Sequence, residues 1–212
     1  MSACLFGACG SNDSAVLAGE TDESGEGESG PLPDIPPSVP CGAAGEDPEL
    51  SWTKVMGSPH QDFVTDMAVD REGNVYITGQ AGSDVDFGDG PLVGWGGYVV
   101  SYTADGRYRW GRILEGTSWG YSVAVNLAGE VAVAGNFRGL LDISDAQHDA
   151  GQRDMGFVIA LDAYGQYRWD RVFGDGQINT GGAVGFGEDG GVVVTGSYMA
   201  SADFGGGLRE GS

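Results

Sequence analysis

The chain has 212 residues, 40 of them glycine, and its 31 acids against ten bases give a formal net charge of −21. That length suits one domain with an appendage, and so acidic a surface repels phosphate backbones and anionic headgroups, which argues against nucleic acid as a partner. No apolar run approaches the roughly 20 residues of a membrane-spanning helix. Cys4, Cys9 and Cys41 are the cysteines and all precede residue 50, so no disulfide framework holds the remainder together.

Residues 1–50 carry ten of the acids and no Lys or Arg. Leu5-Phe-Gly-Ala-Cys9 resembles the lipobox of bacterial lipoproteins, with Phe6 where Leu is usual. The basic part and most of the apolar part of a signal peptide are missing before it. The expectation is a truncated signal segment with Cys9 as the lipidation site; the alternative is a disordered N-terminus with incidental cysteines. From Asn12 to Gly30 the chain is Ser, Gly, Asp and Glu with few apolar residues, too polar to offset the entropy of ordering. Pro31-Leu-Pro-Asp-Ile-Pro-Pro-Ser-Val-Pro40 favours polyproline II, a semi-rigid spacer. Together these predict a tether over 1–50 and a folded domain over 51–212, at the cell envelope or outside the cell, touching membrane only through a lipid anchor.

The folded part repeats. Tyr98-Val-Val-Ser-Tyr-Thr-Ala-Asp-Gly-Arg-Tyr-Arg-Trp110 returns as Phe157-Val-Ile-Ala-Leu-Asp-Ala-Tyr-Gly-Gln-Tyr-Arg-Trp169. Trp110 follows Trp52 by 58 residues and Trp169 follows Trp110 by 59, a period that marks repeated supersecondary units. Counted from the tryptophans, the units are 52–109, 110–168 and 169–212. After each tryptophan segment come two β-branched runs around a glycine turn: Met67–Gly79 around Gly73, Val123–Gly135 around Gly129, and Ala183–Gly196 around Gly190. That is a hairpin signal, with the turn glycines supplying positive φ. Seven residues past Gly79, Gly135 and Gly196 stand Asp86, Asp142 and Asp203. A Tyr- or Phe-led strand, the turn at Asp105-Gly106 or Tyr164-Gly165, and the tryptophan strand complete each unit.

Four short antiparallel strands per unit, with no capped helical period, predict an all-β chain: a partial β-propeller of about two and a half blades. Trp52, Trp110 and Trp169 are the expected packing between blades. Lys54, Arg112 and Arg171, two residues on, are read as a solvated outer face with occasional pairing to a neighbouring acid. The patterns Trp52-Thr-Lys-Val-Met-Gly57, Asp70-Arg-Glu-Gly-Asn-Val-Tyr-Ile-Thr-Gly79 and Val85-Asp-Phe-Gly88 resemble the bacterial beta-propeller repeats called SBBP. The resemblance spans 51–212 and is best in the first unit. It implies cell-envelope or secreted propellers with binding or scaffolding roles and no shared catalytic residues. Two and a half blades do not close a ring, so the expectation is a fragment or a chain that closes by self-association through its open blade edge.

Candidate chemistry is sparse. Asp84, Asp86 and Asp89 alternate as hard-cation ligands do, which raises a Ca²⁺ site; a closing Glu is missing, and Asp86 more simply fixes a turn through backbone N–H groups. Gly116-Thr-Ser-Trp-Gly120 matches G-x-S-x-G but lacks the strand-to-helix setting of a nucleophile elbow, and the histidines, His60 and His148, fall in variable loops. Trp95, Trp119 and Tyr198 are candidates for stacking on sugars or for packing under loops. The reading is a tethered propeller scaffold or binding module for an unknown protein or glycan, without catalysis or cofactor of its own. The alternatives are part of a polysaccharide-active propeller enzyme and a calcium-stabilised adhesin.

Overall fold

The computed structural model describes residues 52–143, 145–174, 180–197, 201–203 and 208–210; the tether, Cys9, Cys41 and Tyr198 lie outside them. These residues are all-β and antiparallel, with no helix among them. The first unit is β1 (Phe63–Val69), β2 (Val75–Ala81), the short pair β3 (Val85–Asp86) and β4 (Pro91–Leu92), β5 (Gly96–Tyr102) and the first half of β6 (Tyr108–Val125). β6 then turns from one unit to the next: up to Glu115 it pairs with β5, and from Glu115 onward it pairs with β7 (Val131–Asp142). β8 (Gln147–Leu161) and β9 (Tyr167–Phe173) complete the second unit. The third is represented by the hairpin β10 (Thr180–Phe186) and β11 (Val192–Ser197) and the short pair β12 (Ser201–Asp203) and β13 (Leu208–Glu210). The hydrogen-bonded unit is therefore out of phase with the sequence count: the tryptophan strand is the last of its blade, not the first.

Local chemistry explains the elements. The hairpin turns use Gly73 (φ 82), Gly129 (φ 79) and Gly190 (φ 80) as expected, each donating its N–H back to the carbonyl three residues earlier. In the first turn Asp70 accepts the N–H groups of Glu72 and Asn74; Asn126 does the same in the second for Ala128 and Glu130. A β-bulge recurs at one place in the first strand of every unit, between Val64 and Asp66, Gly120 and Ser122, and Gly181 and Ala183. Gly79, Gly135 and Gly196 lie directly opposite these bulges. A Cβ on Gly79 or Gly135 would stand 1.9 Å from the carbonyl oxygen of Phe63 or Trp119, so the bulged strand itself demands glycine there. Asp86, Asp142 and Asp203 each end the first arm of a small outer hairpin, opposite Pro91, Gln147 and Leu208, and the next residues Phe87 and Ile143 are buried.

Because β2 and β5 are central, both of their faces are covered. Val75, Ile77, Tyr98, Val100 and Tyr102 pack under Met56 and Phe87 on one side. Tyr76 and Val99 on the other side join Val131, Val133, Phe157 and Ile159 of the second unit. The first strands of successive units are stitched together by side chains. Thr65 Oγ1 donates to the Gly120 carbonyl at 2.5 Å, Asp66 Oδ2 accepts from Ser122 Oγ and the Val123 N–H, and Ser122 Oγ accepts the Val184 N–H.

The tryptophans form a second, outer stitch. Trp52 Nε1 donates to the Ala104 carbonyl (3.0 Å), and its ring lies on Gly106. Trp110 Nε1 donates to the Ala163 carbonyl (3.1 Å), and its ring lies on Gly165 of the following unit. Each ring is half-buried rather than fully enclosed. Of the cations beside them Arg171 is exposed, as expected of a solvated outer face, whereas Arg112 and Lys54 are half-buried. Arg112 donates to the Gly165 carbonyl and pairs with Asp145, Arg109 reaches the Ala163 carbonyl at 3.2 Å, and Lys54 lies over the Tyr102 ring. Strand alternation places Arg112 outward from its own sheet, but the next turn occupies that outward space.

Candidate functional site

Antiparallel order puts the starts of the first strands, the ends of the second and the starts of the third on one edge of the blades. At that edge a ring from each complete blade meets: Phe63 opening β1 and Trp119 on the second half of β6, with centroids 5.3 Å apart. They are equivalent positions, since Phe63 pairs with Gln80 just past Gly79 and Trp119 with Asn136 just past Gly135. The bulge adds a third ring. Tyr121, the extra residue opposite Gly135, stacks on Trp119 at 6.4 Å and 15°. Phe63 is 40% exposed, and Trp119 and Tyr121 are half-buried. Burial, with the charge of Asp154 adding to it and a hydrogen bond with Asn136 opposing it, raises the Tyr121 pKa and keeps the phenol neutral. Beside it Arg138 and Asp154 pair through two hydrogen bonds, Nε to Oδ1 at 3.0 Å and Nη2 to Oδ2 at 2.5 Å. The result is an apolar shelf flanked by an amide, a phenol and a neutralised ion pair, which suits a ligand with a flat apolar face and hydroxyl or amide groups around it.

The residues singled out from sequence fall elsewhere. Asp84 has a positive φ (61°), and Asp86 Oδ1 accepts the N–H groups of Gly88 (2.6 Å) and Gly90 (3.2 Å). Among the described residues no group of three His, Cys, Asp or Glu side chains, Asp84, Asp86 and Asp89 included, is placed to hold a metal ion. The physical reason is that Asp86, the central carboxylate, is turned back onto its own loop. Ser118 of the G-x-S-x-G match is buried, donating to the Leu114 carbonyl and accepting the Gly97 N–H, so it is a strand-junction clip and no nucleophile. His60 sits exposed over Gly82. His148 Nε2 lies 2.6 Å from Asp170 Oδ2, whose other oxygen accepts the Tyr167 hydroxyl at 2.6 Å. This group fills the place held in the first unit by Leu92 over Gly111. Trp95 is 44% exposed on its own loop. Phe63 and Tyr121 were missed; equal offsets from Phe63 to Trp119 and from Gly79 to Gly135 were the available signal.

Four-stranded units joined through their first strands define a β-propeller: among the described residues, two complete blades and two hairpins of a third. In line with that architecture, residues 52–85 match the family SBBP, a beta-propeller repeat, over the first tryptophan segment, β1, β2 and the start of β3. No curated protein matches the chain.

Proposed function

We propose that the chain is a non-catalytic binding module and that its ligand is a neutral glycan held on the Phe63–Trp119–Tyr121 shelf. The observation that carries this reading is the Phe63–Trp119 pair, one partly exposed ring from each of two adjacent blades. Rings of that kind take the apolar face of a sugar, while Asn136 and the Arg138–Asp154 pair serve its hydroxyls. The net charge of −21 disfavours anionic polymers. Tethering to a bacterial cell envelope through Cys9 belongs to the same proposal and rests on the lipobox resemblance of Leu5–Cys9. Intact mass of the native protein from the membrane fraction tests the tether, which requires added acyl chains.

The shelf is tested by titrating cellotetraose and chitotetraose and following tryptophan fluorescence. Saturable quenching is expected with one of them, weakened at least tenfold by Trp119→Ala and by Phe63→Ala and unchanged by Trp95→Ala. Quenching that survives both shelf substitutions refutes the site. Release of reducing ends from either sugar refutes the absence of catalysis and favours the polysaccharide-active alternative.

A further inference from the structure

Between the outer hairpins of the first two units runs a groove of about 190 Å³. It is bordered by Leu92 and Val93 at the end of β4, by Arg112, Ile113 and Glu115 of β6, and by Asp142 at the end of β7. Glu115 and Asp142 face each other in the β6–β7 register, and like charges directly opposite on a sheet repel. The strand needs neither of them. Glu115 sits where β6 passes between units, paired with Gly96 on one side and Asp142 on the other, and those are backbone bonds that any side chain would leave intact. Arg112, the cation of the groove, is already held by the Gly165 carbonyl and by Asp145 at 3.0 Å. No ion pair among the described residues uses Glu115, and Asp142 accepts from the neutral Gln147 amide at 3.1 Å. The borders of the groove are otherwise aliphatic. Gly94 (φ 113) carries its loop so close over β6 that a Cβ there would stand 3.3 Å from Ile113 Cγ2 and 3.8 Å from the Glu115 carboxyl carbon. Val93 is 89% exposed, and Leu140, whose carbonyl abuts Gly116, is 55% exposed.

We infer that this groove docks an extended basic segment of a partner protein, with a lysine between Glu115 and Asp142 and the apolar neighbours of that lysine on Val93 and Leu140. Complementary charge selects the occupant. A lysine puts an aliphatic stem along Leu92 and Ile113 and an ammonium group between the two carboxylates, which relieves their repulsion. The net charge of −21 draws a basic partner toward the chain and bars a second copy from an acidic groove. A small polyamine would satisfy the carboxylates but leave Val93 and Leu140 uncovered. The groove is separate from the aromatic shelf, so it stands whether or not the shelf takes a glycan.

The test titrates the ¹⁵N-labelled full chain with a capped peptide of alternating valine and lysine, with the same peptide carrying glutamate for lysine, and with spermidine. The lysine peptide is expected to give saturable shifts centred on the amides of Val93, Ile113, Glu115 and Asp142, and the glutamate peptide none. Glu115→Gln, and separately Asp142→Asn, is expected to weaken the lysine peptide at least tenfold. Thermal melts add a readout that a structural role would move the other way: Glu115→Gln, relieved of the repulsion, should melt at or above the temperature of the parent. No saturable shift at the groove up to the solubility of the peptide, or shifts spread over the acidic surface and indifferent to Glu115→Gln, overturns the site. A Glu115→Gln chain that melts well below the parent overturns the reading of Glu115 as a binding residue. Spermidine binding as tightly as the peptide at the same amides overturns the choice of occupant and gives the groove to a small polyamine.

Discussion

Trp110 and Trp169 hold the same place in the repeat, yet only Trp110 has a described turn beneath it, so truncating each to alanine separates the stitch from the ring itself. For Trp110 the half-buried indole hides roughly 150 Å², about 4 kcal/mol at about 25 cal/mol per Å². The lost Nε1 bond to the Ala163 carbonyl adds about 1 kcal/mol, though Arg109 still donates to that oxygen. Allowing for partial collapse, Trp110→Ala is expected to destabilise by about 3–5 kcal/mol. Trp169 borders a cavity and has no carbonyl partner among the described residues, so Trp169→Ala is expected to cost about 1–2 kcal/mol by the same area reasoning. Urea unfolding followed by circular dichroism reads the difference as a midpoint gap of about 0.5–2 M, with m near 2 kcal/mol per M. Equal costs for the two variants would refute the claim that the tryptophan works by clasping the neighbouring turn.

Gly135→Ala is expected to cost at least about 3 kcal/mol or to prevent folding, since its Cβ has nowhere to go but the Trp119 carbonyl; Gly185→Ala, whose Cβ meets nothing within 4 Å, should lie within about 0.5 kcal/mol of the parent. Burial opposes ionisation of Asp70, but hydrogen bonds from Asn74, Tyr76 and the Glu72 N–H outweigh it and lower its pKa. Its stabilisation is therefore present above the ordinary carboxylate pKa and lost as pH falls through the lower folded one. Asp70→Asn, which copies Asn126, should fold and show a flatter acid limb in a pH series of thermal melts. Burial, ahead of nearby charges, raises the Tyr102 pKa, and burial likewise raises those of Tyr76 and Tyr108. Stability should hold below about pH 10 and fall above it, where the unfolded phenols ionise first; Tyr102→Phe should soften that alkaline limb. Adding Ca²⁺ or EDTA should leave the melting temperature unchanged, and a Ca²⁺-dependent rise would restore the adhesin alternative.

The tryptophan period, the turn glycines and the recurring aspartates gave the architecture away, because each repeats a local requirement at a constant offset. What they could not give is an origin: a period has no phase, and only the hydrogen bonds show that Trp110 closes one blade instead of opening the next. The need for glycine at Gly79 and Gly135 was equally hidden, since it arises from a bulge on the partner strand and not from their own φ. The outer-face reading of Arg112 covered its pairing with Asp145 but not its bond to the Gly165 carbonyl, because alternation describes a sheet in isolation and the neighbouring blade supplies that oxygen. The aromatic shelf joins residues of two blades, and Tyr121 enters it only because the bulge inserts an extra residue there.

The central claim is that each tryptophan joins its blade to the next, and nuclear Overhauser contacts from the Trp110 indole N–H test it most directly. The structure places that proton against Ala163 and Gly165, with a parallel set from Trp52 to Ala104 and Gly106. Contacts from Trp110 to Ala104 and Gly106 of its own unit instead would contradict the account and make the tryptophan a staple within a single blade.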